Sequence, residues 1–171
     1  MTRDIRVLAG VALIIAAVPI AGCASGGGAP ETSSSTSGGP RVLSQIEMTT
    51  FAPSLDVQLD SMSKHPSGLY IQNFATGTGP VATSGKTVVV RYKGFLPNGT
   101  LFDGGPDGSE ITFTLGSNRT IKAWEEGILG MRVGGQRRLI VPPYLGYGSQ
   151  GAGPIPPNSV LVFDVQLIAV Q

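Results

Sequence analysis

The stretch that decides the fold is IKAWEEGI, residues 121–128, which contains the only tryptophan of the chain. Ile121, Trp124 and Ile128 are spaced three and four residues apart, so they share one face of a predicted helix. Gly130 is predicted to stop that helix. Segments on both sides alternate between apolar and polar residues and are separated by Gly and Pro, which is typical of strands and turns. One short helix among strands predicts an α+β fold in which a sheet curls around the helix. Trp124 is then either ordinary core or part of a pocket.

Six strands are predicted around this helix, within a domain that begins at Gly68. The best of them is rich in β-branched and aromatic residues. Asn98-Gly99 predicts a hairpin turn in which both residues have positive φ angles. The predicted strands span residues 68–74, 87–96, 101–103, 111–115, 136–141 and 160–168.

Composition and charge exclude several classes of protein. The 171 residues include 25 glycines and 13 prolines, which favours turns and strands over long helices. The net charge is +1, and loss of Arg3, Asp4 and Arg6 with a signal peptide would leave it neutral. No basic surface of the kind that nucleic-acid binding needs is therefore expected. A single cysteine excludes an internal disulfide.

The first 22 residues are predicted to be a secretory signal peptide. A short basic region is followed by an apolar run from Val7 to Ala21, with small residues before Cys23. A transmembrane anchor would need about 20 apolar residues, and this run is shorter and contains Pro19. Residues 20–23, Ile-Ala-Gly-Cys, resemble the lipobox of bacterial lipoproteins, in which the cysteine is fatty-acylated. The alternative is an ordinary cleaved signal with a chance cysteine.

Two further segments precede the domain. Residues 23–40 begin with the lipidation site Cys23 and continue with mostly Gly, Ser, Thr, Ala and Pro, so we expect a flexible linker that holds the domain off a membrane. Residues 41–67 form what we call the lead-in segment, which is predicted to be extended. Its few apolar residues leave open whether it packs on the domain. His65, in this segment, has no second ligand or catalytic partner nearby in sequence, so we assign it no function.

No conventional catalytic set is present in the domain. It contains neither histidine nor cysteine, which excludes Ser-His-Asp and Cys-His arrangements there. Its acidic residues are scattered, so no metal site or cofactor is predicted. Glu125 and Glu126 are adjacent on the helix and point to different sides, which excludes a paired acid and base. A small β-rich domain with surplus aromatic residues instead suggests an apolar pocket.

Several motifs of the domain, in order and with similar spacing, resemble the FKBP-type peptidyl-prolyl cis-trans isomerases. The resemblance extends from about residue 68 to residue 171. In that family an antiparallel sheet forms a half-barrel around one short α-helix, and an aromatic pocket binds proline. The motifs are Val90 to Gly94, Leu101 to Asp103, Trp124 to Gly127, Tyr144 to Gly148, Ile155 to Asn158 and Leu161 to Val165.

The resemblance also implies roles for individual residues. Three would act in catalysis: the backbone N–H of Ile121 and the hydroxyl of Tyr147 as donors to substrate carbonyls, and Asp103 as the polar group at the rim. The side chains that would bind substrate are Trp124 as the pocket floor and Tyr92, Phe102, Phe163, Ile155 and Ile111 around it. For Asp103, a turn residue with only a backbone hydrogen bond is the alternative.

The sequence departs from the family pattern at several positions, including Gly153-Pro154, which precede Ile155 where a second aliphatic residue is frequent. Residues 104–108 lack the arginine often found there as a partner of the aspartate, and Ile111 stands where an aromatic residue is common. Arg119-Thr120 replaces a more usual acidic-aliphatic pair. These differences are expected to affect binding of FK506-like macrolides more than activity on proline.

The expected function is a monomeric, lipid-anchored prolyl isomerase of the cell envelope, acting outside the cytoplasm on proline-containing segments of exported proteins. In a bacterium with two membranes, the outer membrane facing the periplasm would be the expected location. The alternative is a non-catalytic binding module or holdase with the same fold. A third possibility is a purely structural envelope lipoprotein, which would not require all of the pocket residues to occur in the same chain.

Overall fold

The two longest runs rich in β-branched residues become central strands of a seven-stranded sheet in the computed structural model, which describes residues 44–171. All strand pairs are antiparallel, and the sheet order is β1-β2-β6-β7-β3-β4, with β5 also paired to β3. The strands are β1 (Ser63–Lys64), β2 (Tyr70–Ala75), β3 (Thr87–Phe95), β4 (Leu101–Asp103), β5 (Ser109–Thr114), β6 (Gln136–Val141) and β7 (Leu161–Val170).

One α-helix, α1 (Lys122–Gly127), lies between β5 and β6 in the chain, so the predicted α+β architecture is confirmed. Short 3-10 helices cover Pro53–Leu55, Leu59–Ser61 and Pro143–Leu145. The predicted signal peptide, Cys23 and the linker lie outside the described residues. In the described part of the chain, no helix is long and apolar enough to cross a membrane.

The predicted hairpin turn forms between β3 and β4, but one of its two predicted φ angles was wrong. Gly99 has a φ of 87°, but Asn98 has no positive φ. Instead, the Asn98 side-chain oxygen accepts a hydrogen bond of 3.0 Å from the Thr100 N–H, so this side chain stabilises the turn. The helix ends at Gly127 with Ile128 as its C-cap, and Gly130, the predicted stop signal, follows two residues later with a φ of 78°.

Helix α1 packs against the inner face of the sheet. A side chain at Gly127 would place its Cβ 2.6 Å from the Leu139 side chain of β6, so glycine allows the close approach of helix and strand. Ala123, Trp124 and Ile128 are buried in the same core. The main inner-face contributions of the sheet are Val88, Val90, Leu139, Val141, Leu161, Phe163, Val165 and Leu167.

The lead-in segment packs on the opposite, outer face of the sheet, which answers the question that the sequence left open. Ile46, Leu55 and Met62 form a second hydrophobic cluster with the outward-facing residues of β2, β6 and β7. Arg138 of β6 pairs with both carboxylate oxygens of Asp164, at 2.6 and 2.7 Å, and donates to the Leu55 carbonyl. Strand β1, at the end of this segment, pairs with β2.

Candidate functional site

A cavity of about 490 Å³ opens between α1, the inner face of β3 and β7, and the loop after β6. That size lies within the range of about 300–1,000 Å³ usual for small-molecule and peptide side-chain sites. Its lining residues are Tyr92, Asp103, Ile111, Arg119, Thr120, Ile121, Lys122, Trp124, Tyr144, Gly146, Tyr147 and Phe163.

Aromatic rings form the floor and inner wall of this pocket. Trp124 is only 5% exposed. Its ring lies 4.7 Å from that of Tyr92 and 5.4 Å from that of Phe163, both in edge-to-face geometry, which is a favoured arrangement of aromatic pairs. Phe113 of β5 supports Trp124 from behind, with 6.0 Å between ring centroids. Strand alternation aims Tyr92 and Phe163 inward, and Phe163 lies opposite Gly94 of β3.

Gly94 makes room for this aromatic group. A Cβ atom at this position would lie 2.6 Å from the Phe102 ring and 3.0 Å from the Phe163 ring. Phe102 and Phe163 pack edge to face with 5.6 Å between centroids. Because Gly94 has no side chain, the two rings can pack against the sheet at the pocket wall.

Tyr92 and Asp103 are joined at the pocket rim by a hydrogen bond of 2.7 Å from the hydroxyl to the carboxylate. The other carboxylate oxygen of Asp103 accepts a 2.7 Å hydrogen bond from the Gly104 N–H. Burial, followed by the hydrogen bond to Asp103 and its charge, raises the pKa of Tyr92 to about 12. The hydroxyl therefore stays protonated at neutral pH and fixes the orientation of Asp103.

Tyr147 and Ile121 present hydrogen-bond donors that have no acceptor in the part of the chain that the structure describes. Burial and the nearby Asp103 charge raise the pKa of Tyr147, so its hydroxyl remains a donor at neutral pH. The Ile121 N–H donates to no backbone carbonyl among residues 44–171, because Ile121 is the N-cap of α1 and its N–H precedes the helical ladder. The indole N–H of Trp124 is buried and also lacks an acceptor in this part of the chain.

A second cavity, of about 410 Å³, differs in chemistry. It is lined mainly by charged and amide side chains, among them Arg91, Lys93, Asp164 and Gln166. Tyr92 and Phe74 are its only aromatic lining residues within the described range. Within residues 44–171, no three His, Cys, Asp or Glu side chains are placed to hold a metal ion. The aromatic pocket is therefore the better candidate for a binding site.

Residues 79–168 match the FKBP-type peptidyl-prolyl cis-trans isomerase family. The chain belongs to this family. It is 48% identical over 109 residues to "FK506-binding protein 4" of Mycosarcoma maydis, a match covering 64% of this chain and 29% of that protein. It is 47% identical over 120 residues to "Peptidyl-prolyl cis-trans isomerase FKBP53" of Arabidopsis thaliana, covering 68% of this chain and 25% of that protein. The chain thus spans less than a third of the length of these curated relatives.

Solved structures of FKBP proteins show the same fold. FkpA from Escherichia coli superposes with a TM-score of 0.61 at 37% identity, covering 69% of this chain and 55% of that one. AtFKBP13 gives a TM-score of 0.60 at 39% identity, covering 64% of this chain and 98% of that one. The expected half-barrel of antiparallel strands around one short helix is therefore confirmed as an FKBP fold.

Most of the residues that the FKBP resemblance singled out come together in the cavity, but two do not line it. Tyr92, Asp103, Ile111, Ile121, Trp124, Tyr147 and Phe163 are lining residues. Phe102 instead packs against the lining residue Phe163, and Ile155 is buried in the inner core at 6% exposure. Neither is a lining residue of the cavity.

Sequence reasoning missed Tyr144, although its motif was among those that resemble the FKBP family. Tyr144 is 64% exposed, and its hydroxyl donates a 2.7 Å hydrogen bond to the Ser67 carbonyl in the lead-in segment. Gly68, with a φ of 84°, leaves space for that hydroxyl, which a Cβ atom would approach to 2.2 Å. No local sequence signal links residues so far apart in the chain.

Three more residues connect the lead-in segment to α1 outside the pocket. The Ser67 hydroxyl donates a 2.5 Å hydrogen bond to Glu126, and His65 lies 2.7 Å from that hydroxyl. Glu125 points elsewhere and accepts from the Gly116 N–H at 2.6 Å, as expected for adjacent helical residues. His65 therefore takes part in a contact between segments and does not line the pocket.

Proposed function

We propose that this chain is a peptidyl-prolyl cis-trans isomerase that binds X–Pro segments of exported proteins in the aromatic pocket around Trp124. The observation that carries the proposal is the combination of a buried aromatic floor with hydrogen-bond donors that have no acceptor among residues 44–171. Trp124, Tyr92 and Phe163 offer a surface for a proline ring. The Tyr147 hydroxyl and the Ile121 N–H lie at the same cavity.

The proposed reaction is a rotation about the X–Pro bond, which needs no nucleophile, metal or cofactor. Amide resonance gives the X–Pro bond a rotation barrier of about 18–20 kcal/mol, so uncatalysed exchange takes tens to hundreds of seconds. Acceleration by about four powers of ten requires a barrier lower by roughly 5–6 kcal/mol. The twisted amide at the top of the barrier has lost its resonance and carries less charge separation than the planar form. A pocket with little water therefore favours the twisted form.

Named groups supply this stabilisation in the proposed mechanism. The proline ring packs on Trp124, and the carbonyls beside it accept hydrogen bonds from the Ile121 N–H and the Tyr147 hydroxyl. Each such bond in a dry site contributes about 1–3 kcal/mol. Asp103, held by Tyr92 and Gly104, is fixed at the rim near the rotating carbonyl. No bond is made or broken, so no nucleophile is required.

The test is the cis-to-trans conversion of an X-Pro-Phe peptide by protein that begins after Cys23. We expect acceleration that FK506 inhibits, since relatives of this chain are named for binding that compound. Asp103→Asn should reduce the acceleration, while Asp107→Asn, the same chemical change four residues later at a position that does not line this pocket, should not. Circular dichroism confirms that each variant is folded.

A folded wild-type protein that accelerates no peptide would exclude catalysis by this chain. Binding of proline peptides without acceleration would then identify the non-catalytic module or holdase that the sequence left as the alternative. The single tryptophan lies in the pocket, so its fluorescence reports peptide binding independently of catalysis.

We also propose that the chain is a lipoprotein, anchored at the cell envelope outside the cytoplasm through Cys23, and that the domain acts as a monomer. Support comes from the basic and apolar residues before Ile20-Ala21-Gly22-Cys23. Incorporation of labelled palmitate that is lost in Cys23→Ala would support the anchor. A mature protein that is released unacylated would instead identify an ordinary cleaved signal. Light scattering of the soluble domain measures its oligomeric state.

A further inference from the structure

Two basic residues flank Ile121 at the mouth of the pocket. Arg119 and Lys122 both line the cavity, and both are exposed to solvent. Ile121, between them in the chain, offers the unused backbone N–H described above. A peptide that binds this donor therefore passes close to two positive charges.

Neither cation is neutralised by an ion pair within the described residues. The salt bridges of residues 44–171 involve Lys64, His65, Arg91 and Arg138, and not Arg119 or Lys122. The two nearest acidic residues in sequence have other partners. Glu125 accepts from the Gly116 N–H and the Thr120 hydroxyl, and Glu126 accepts from the Ser67 hydroxyl.

The acidic residue of the cavity is likewise engaged. Asp103 accepts one hydrogen bond on each carboxylate oxygen, from Tyr92 and from Gly104. Among the lining residues, Arg119 and Lys122 are the only cations and Asp103 is the only anion, so the rim carries a net positive charge. A positive rim attracts a negatively charged ligand and repels a positive one.

We infer that the pocket selects proline segments with an acidic side chain next to the proline, and that Arg119 and Lys122 determine this preference. The inference rests on the proposed function, since it names the substrate class of the same site. Both cations are solvent-exposed, so their effect is modest and weakens as salt rises. We expect a Glu-containing peptide to be preferred over the isosteric Gln peptide by about two- to fivefold at low salt.

The experiment compares peptides with Glu, Gln or Lys immediately before or after proline. All carry uncharged caps, so that the varied side chain supplies the only charge. Binding is followed by Trp124 fluorescence and isomerisation by cis-to-trans exchange. The measured quantity is the ratio of Glu to Gln peptide, in Kd and in kcat/KM, at low and high salt. Lys peptides should bind more weakly than Gln peptides.

Variants test whether Arg119 and Lys122 cause the preference for the Glu peptide. The preference for the Glu peptide over the Gln peptide should disappear in the double variant Arg119→Gln with Lys122→Gln. When both residues are changed to Glu, the preference should reverse, and the Lys peptide should bind best. Lys86→Gln removes an equal charge from an exposed site that does not line the cavity, and should keep the wild-type ratio. Using ratios removes general effects of a substitution on folding or activity.

The outcomes separate the two proposals. Equal Glu and Gln values in the wild type, or a preference that survives in the double variant, would overturn the acidic preference and leave the isomerase intact. A Glu preference in binding without acceleration of any peptide would support the charged rim and exclude catalysis. A preference that also disappears in Lys86→Gln would show that overall charge, rather than the rim, is responsible.

Discussion

The inner and outer faces of the central strands are both buried, and the aromatic pocket lies on the inner face. On β6, Leu139 faces α1 and Ile140 faces the lead-in segment, and both are fully buried. The outer face is covered over its apolar part by Ile46, Leu55 and Met62. The inner face is covered by a helix of only six residues. The part of the inner face that the helix leaves uncovered is lined by aromatic rings at the cavity. The comparison teaches that the short helix leaves part of the inner face uncovered, and that the aromatic pocket forms there.

Each face also has a tyrosine hydroxyl bound to a carboxylate. On the inner side Tyr92 donates to Asp103 at 2.7 Å, and on the outer side Tyr70 donates to Glu47 at 2.5 Å. The first pair lies at the open rim of the pocket. The second fastens the lead-in segment, where Glu47 also binds Lys64 at 2.8 Å. The same kind of hydrogen bond thus orients a carboxylate at the cavity on the inner face and holds the lead-in segment against the outer face.

The largest expected effect comes from a matched pair of truncations on β6. Leu139→Ala and Ile140→Ala each remove a fully buried aliphatic side chain and should each lower the free energy of unfolding by about 2–5 kcal/mol. Denaturant titration measures both. If Ile140→Ala cost less than about 1 kcal/mol while Leu139→Ala cost the expected amount, the lead-in segment would be only loosely packed on its face.

A second pair of variants separates the roles of the two tyrosines. Tyr92→Phe should lower kcat/KM for a proline peptide about fivefold, equivalent to roughly 1 kcal/mol, because Asp103 loses a hydrogen bond that orients it. Tyr70→Phe removes the corresponding bond on the outer face and should lower stability without changing kcat/KM. Equal loss of activity in both variants would contradict the assignment of function to the inner face alone.

Acid should weaken the attachment of the lead-in segment to the outer face. Hydrogen bonds from Lys64, Tyr70 and the Ser44 N–H lower the pKa of Glu47 from 4.5 to about 2. A lowered folded-state pKa contributes stability above pH 4.5, and this contribution is lost as the pH falls from 4.5 toward 2.

Unfolding measured from pH 6 to pH 2 should therefore show a steeper loss of stability for the wild type than for Glu47→Gln. Glu110→Gln, at a surface ion pair with Arg91, is the control, since it should leave the wild-type slope nearly unchanged. Identical slopes for wild type and Glu47→Gln would mean that Glu47 does not hold the lead-in segment.

The smallest expected effect tests the point where the lead-in segment reaches the pocket. Tyr144→Phe removes the hydrogen bond to the Ser67 carbonyl and frees the ring at the rim. We expect KM for a proline peptide to rise about twofold with a smaller change in kcat, consistent with a loss of about 0.5 kcal/mol. Tyr147→Phe, which removes a proposed donor to substrate, should instead lower kcat. A loss in kcat alone for Tyr144→Phe would place this residue in catalysis.

Much of the fold was predictable because its signals are local. Strands β3, β5 and β6 and the helix around Trp124 formed close to the predicted residues, since alternation, β-branching and turn residues act over a few positions. The inward direction of Tyr92 and Phe163 follows from the same alternation. Phe113 could also have been found, because it shares a face of β5 with Ile111.

One overlooked signal concerns the outer face. Residues 139–141 and 160–163 are continuous apolar runs, which in an antiparallel sheet indicate that both faces are covered. From Asp164 onward, β7 alternates between buried and partly exposed residues up to Leu167. The run therefore predicted a cover on the outer face, although it could not identify the lead-in segment as that cover.

By itself the sequence determined the strands, the short helix and the family, because these depend on local periodicity and on motifs of a few residues. Tertiary structure alone decided that Phe102 and Ile155 do not line the cavity, that Tyr144 is held by Ser67, and that Arg119 and Lys122 lack ion-pair partners within the described residues. These features depend on side chains brought together from distant parts of the chain. Their distances are set by how the sheet curls and how closely the helix packs, which no local pattern encodes.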